Sequence, residues 1–91
     1  MDLNELLNGT ADRVVAGGTY AEAWTLEVIA SAAATLSPGA AAALVDWDGS
    51  EVARLRAFGI VHGVLLRELP AHARAELAKQ LMAPSALVLA A

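Results

Sequence analysis

The chain is 91 residues long, 57% hydrophobic and 18% charged, with a net charge of −4 and no cysteine. That length holds one domain and no second core, and the lack of cysteine excludes a disulfide framework, a thiolate metal site and a cysteine nucleophile. Ordinary globular chains are roughly 45–50% apolar even with glycine counted. The surplus here implies surface buried against a partner or around an apolar ligand, and a homodimer is the simpler solution.

A first helix is expected over 2–16. Asp2 and Glu5 form a capping box at its start, and Leu3, Leu6, Leu7, Thr10, Val14 and Val15 recur at three- and four-residue spacing. Gly17-Gly18 ends it. Thr19-Tyr20-Ala21-Glu22 reads as a second capping box, opening a helix over 20–36. Its apolar side carries Leu26, Ile29, Ala30, Ala33 and Leu36, which suits the centre of a bundle.

Residues 28–45 carry no charge, yet Ser37-Pro38-Gly39 breaks the run. The stretch therefore reads as two buried helices rather than a membrane span. Pro38 suits the first position of a short third helix over 38–47. Asp46-Trp47-Asp48-Gly49 closes it, and a calcium loop is not expected there, because the glycine comes fourth instead of sixth.

The fourth helix, over 50–69, shows a packing seam of Val52, Leu55, Gly59, His62, Leu66 and Leu69, widened by Phe58, Val61 and Leu65. Pro70 separates it from a fifth helix over 71–82, whose buried line is Ala73, Leu77 and Leu81. An uncharged tail, 85–91, follows Pro84. The fold class expected is all-α, a compact bundle of four to five helices in a single domain, dimeric.

Gly59 and Gly63 form a small-xxx-small pair that lets helices approach closely. Two mid-helix glycines cost roughly 2 kcal/mol of propensity together, which calls for a packing reason. The expected counterpart is the alanine-rich second helix or a symmetry mate. Gly59, His62, Gly63, Leu66 and Leu69 are accordingly the candidate helix-packing or dimer-interface residues. His62 on that seam is expected to be a hydrogen-bonded core residue, with a pH-sensitive contact as the alternative. No acid is spaced to form a metal set with His62 and His72, so no metal is expected.

Ser50, opening a helix in a small acidic helical chain, resembles the attachment serine of acyl and peptidyl carrier proteins. Those carriers show Asp-Ser-Leu or Gly-Gly-x-Ser-Leu, whereas this chain has Gly49-Ser50-Glu51. The last residues, Leu89-Ala90-Ala91, resemble the end of the bacterial tag that marks stalled products for proteolysis. The plainer expectation is that Leu87, Val88 and Leu89 pack on the bundle or across a dimer. A pocket lined by Trp24, Trp47 and Phe58 is a further reading.

Residues 1–48 hold seven acids against one base, and residues 49–91 three acids against five bases. The basic half is expected to pack beside the acidic half, within or between subunits. The short third helix has nothing to read a base edge or neutralise a phosphate, so a DNA-binding reading would rest on Arg54 and Arg56 instead. The acidic N-terminus lacks the features of a signal peptide, which suits the cytoplasm. No nucleophile–base pair or phosphate loop can be assembled. The function expected is a non-catalytic, cofactor-free protein–protein interaction or regulatory module, acting as a homodimer or on another protein. A carrier or apolar-ligand-binding domain is the alternative, and a DNA-binding regulator the third reading. No membrane association is expected.

Overall fold

Glycine and proline punctuate the chain, and the helices fall between them. In the computed structural model, which describes residues 2–82, these are α1 (Leu3–Gly17), α2 (Ala23–Ala33), α3 (Pro38–Leu44), α4 (Glu51–Glu68) and α5 (Ala71–Met82). A single 3₁₀ turn, Tyr20–Glu22, precedes α2. No strand occurs among the described residues, and the fold is all-helical and compact, with a Cα radius of gyration of 12.3 Å. A chain of this length is expected to reach about 12 Å when folded.

Local signals set most boundaries. Asp2 caps α1 by accepting from the Glu5 amide at 2.9 Å, and Ser50 caps α4 by accepting from the Ala53 amide at 3.1 Å. Gly18 ends α1 with φ at 88° and ψ at 162°, a region open essentially to glycine alone. Its amide still reaches the Val14 carbonyl at 2.9 Å. At the far end of α4, the Arg74 side chain reaches back from α5 and donates to the carbonyls of Leu66 and Leu69, which the helix leaves without amide partners.

Three expected boundaries move. Thr19 makes no side-chain cap, and the residues after it form a 3₁₀ turn before α2 begins at Ala23. A distant carboxylate, that of Glu51, takes both the Thr19 amide and its hydroxyl, and Glu22 pairs with Arg13 instead. α2 ends at Ala33 and α3 at Leu44, both short of the expected limits.

The core is drawn from every helix. Leu7, Leu26, Ile29, Leu44, Val61 and Leu65 have no solvent exposure, and Leu77 and Leu81 close it from α5. α4 packs chiefly against α3, while α5 lies on α1 and α2. Val15, expected in the apolar stripe of α1, is 78% exposed.

The expected seam on α4 is rotated. Its buried line is Arg54, Ala57, Phe58, Val61, Val64 and Leu65, whereas Val52 and Gly59 face outward. Leu55, Leu66 and Leu69 flank the core, partly buried. Burial of Arg54, a charged residue that periodicity assigns to solvent, turns the helix this way. The acidic and basic halves are not joined by ion pairs among the described residues, since Arg13–Glu22, Glu51–Arg54 and Glu76–Lys79 each lie within one half. None of the described helices is long and apolar enough to cross a membrane.

Replacing Gly18 by alanine should destabilise the fold by about 1–2 kcal/mol, because a Cβ is strained at that φ. Chemical denaturation of the variant beside wild type checks this; an unchanged midpoint would contradict the assigned backbone.

Candidate functional site

Two features stand out once the helices are placed: a polar knot around Arg54 and the outward face of α4. The Arg54 side chain is only 3% exposed. Its Nε donates to the Thr19 hydroxyl at 2.8 Å, and Nη1 donates to the carbonyls of Asp46 and Gly49 at 2.9 and 2.7 Å. Nη2 lies 3.3 Å from Glu51 Oε1. The rings of Tyr20 and Trp47 cover the guanidinium, with centroids 4.8 and 5.3 Å from Cζ, a cation–π arrangement that replaces lost hydration.

The surrounding groups hold one another in place. Glu51 accepts from the Thr19 amide at 2.9 Å and its hydroxyl at 2.5 Å. The Tyr20 hydroxyl donates to the Trp47 carbonyl, and the Trp47 indole N–H donates to Glu27 at 2.9 Å. Gly49 permits the tight turn, for a Cβ there would come within 2.9 Å of the Asp46 carboxylate and 3.3 Å of its carbonyl. That turn aims two carbonyls at Arg54. The knot thus joins the segment after α1, the loop after α3 and the start of α4, as a buried charge requires if it is to be tolerated.

The Thr19 hydroxyl, more than any other contact, holds the Glu51 carboxyl below its ordinary pKa; burial pulls the other way, and the Thr19 amide and the Arg54 guanidinium add to the lowering. A carboxylate whose folded pKa is depressed adds stability at neutral pH, and that contribution is lost as pH falls through the lowered value.

Several sequence-based candidates land apart. Arg54 is enclosed and cannot reach a nucleic acid, whereas Arg56 is exposed. Trp24 lies at the surface, Trp47 stacks on Tyr20 and Arg54, and Phe58 is in the core, so the three do not line a common pocket. His62 sits beside Phe58, ring centroids 5.8 Å apart, and its Nε2 is buried without the hydrogen bond expected of a core histidine. Ser50 is exposed and caps α4. No metal-binding group of histidines and acids occurs among the described residues. The tail residues Leu87, Val88 and Leu89, and the Leu89-Ala90-Ala91 ending, lie outside the described residues.

The Gly59–Gly63 pair does not meet α2 as expected. A Cβ on Gly59 would find nothing within 4 Å, and one on Gly63 would meet only the Arg67 side chain, at 3.0 Å. The pair lies on the outward face of α4 with Val52, Arg56, Ile60 and Arg67. Val52 is 64% and Ile60 50% exposed. Beside this face, α3 and α4 enclose a shallow groove of about 450 Å³, floored by Gly39, Ala40, Ala43 and Ala57 and edged by Arg56 and Ile60.

No family model, curated protein or solved structure matches the chain.

Arg54→Ala should cost about 3 kcal/mol, since it leaves two carbonyls, a hydroxyl and part of a carboxylate without their donor. Arg54→Lys should recover little of that loss, because an ammonium cannot reproduce the planar fork. Denaturant midpoints of both variants test this. Glu51→Gln should be less stable than wild type at neutral pH, and the gap should close as pH drops below about 4, the ordinary glutamate range. A gap that stayed constant down to pH 2 would assign the effect to packing.

Proposed function

We propose that the protein is a small, non-catalytic interaction module, a helical bundle that acts as a homodimer through the outer face of α4. One observation carries this reading: two large aliphatic side chains, Val52 and Ile60, stand exposed one on either side of Gly59, whose surroundings are open. Helix interiors disfavour glycine by about 1 kcal/mol relative to alanine. Within the subunit nothing offsets that cost at Gly59. A second helix laid against the face would, since glycine admits close backbone approach.

Composition supports the same reading. With 57% hydrophobic residues and few charges, the chain has more apolar surface than a small core can absorb. The groove between α3 and α4 is shallow and open, which suits side chains from a partner better than an enclosed small molecule. The knot, with its hydrogen bonds directed inward, serves as scaffold for this surface.

Light scattering coupled to size exclusion tests the proposal. Wild type should run at twice the 9.3 kDa chain mass, and Ile60→Glu should shift the population towards monomer while keeping its helical circular dichroism. Wild type that stays monomeric into the hundred-micromolar range would overturn self-association.

A further inference from the structure

The outward face of α4 is basic as well as apolar. Arg56 and Arg67 lie on it with no acid between them, and neither makes an ion pair or side-chain hydrogen bond among the described residues. Two copies of this face laid together would bring four guanidiniums into one contact with no carboxylate to answer them, and like charges at an interface are costly. The partner surface must therefore be a different one, and acidic.

The chain carries such a surface on α1. The side of α1 facing away from the core is the line Glu5, Gly9, Asp12 and Ala16, opposite the buried Leu3, Leu7, Thr10 and Val14. Glu5 and Asp12 also lack ion-pair partners among the described residues. Resting on the self-association proposed above, we infer that the outer face of α4 receives α1 of a second copy, antiparallel, and that two such contacts about a two-fold axis close the dimer.

The spacings agree. Glu5 and Asp12 are seven residues apart, about 10.5 Å along a helix. The Arg67 guanidinium leans back over Gly63, with Nη1 3.0 Å from where a Cβ would sit, so its charge lies at the level of position 63, seven residues from Arg56. Setting Asp12 level with the Arg56 backbone therefore sets Glu5 level with the Arg67 guanidinium. In the same register Gly9 comes level with Gly59, beside the Arg13 guanidinium, whose Nη1 lies 3.4 Å from where a Gly9 Cβ would sit and whose charge is answered by Glu22. Two turns further on, Ala16 meets Val52, and the neighbouring Val15 adds apolar area at the edge. Gly63, on this reading, is small because it seats Arg67.

A charge swap tests the contact. The dissociation constants of wild type, Arg56→Glu, Asp12→Arg and the double variant are measured by sedimentation equilibrium at two salt concentrations, with thermal melts as a fold control. Each single variant should weaken association by about tenfold or more, and the double variant should return to within about threefold of wild type. Gly59→Ala should melt higher as a monomer yet dimerise less well. A wild-type dimer indifferent to Asp12→Arg would overturn this contact while leaving self-association standing. A monomeric wild type would overturn both and leave the basic face to an acidic helix of another protein.

Discussion

The fold depends on one buried guanidinium. Removing an arginine from water is tolerable only where its donors find partners, and Arg54 has them: a hydroxyl, two backbone carbonyls and a carboxylate, with two adjacent aromatic rings beside the guanidinium. Those partners come from three separate segments. Two of them, the turn after α1 and the loop after α3, are too short to be fixed by their own propensity. The loop 45–50 in particular contributes mainly backbone, and its carbonyls are held because Arg54 requires them. A small domain with an alanine-rich interior has limited side-chain volume with which to specify one packing. The knot supplies directional constraints that alanine cannot.

Local chemistry made much of the architecture legible from sequence. Asp2 and Ser50 as caps, Gly17-Gly18 as a stop, Pro38 as a first-turn residue and Pro70 as a divider act within a few residues, and the helices fall close to where they place them. Longer-range chemistry was hidden. Thr19 looked like a helix cap because Glu22 follows three residues later, but Glu51, 32 residues away, competes for the same groups and wins. An ionised carboxylate makes stronger hydrogen bonds than a neutral acceptor, and Glu51 is held in reach of Thr19 by its contact with Arg54.

The seam on α4 failed for a related reason. The helix offers two lines at three- and four-residue spacing, one through Val52, Gly59 and His62 and one through Ala57, Phe58, Val61 and Leu65. Arg54 sits at the head of the second, so periodicity places Phe58, Val61 and Leu65 only at the margin of a seam centred on the first. The available clue was Trp47, seven residues before Arg54; Tyr20, 34 residues away in sequence, comes beside the guanidinium only in the fold. Gly59 and Gly63 are anomalous for a helix interior on sequence alone. Their environment could not be read, because a gap needing small residues looks the same in sequence whether it faces inward or out.

The knot and the outer face of α4 are coupled by helical geometry. Arg54 and Arg56 are two residues apart, on opposite sides of one rigid rod. Drawing Arg54 inward fixes the rotation of α4 about its axis, and that rotation presents Arg56, Gly59 and Val52 to solvent instead of the core. Were the helix turned to bury Val52 and Gly59, Phe58 and Val61 would move towards the surface and the basic residues would lose their common face. The polar knot therefore has a consequence beyond stability: by deciding which side of α4 is inside, it decides which residues remain for a partner to meet.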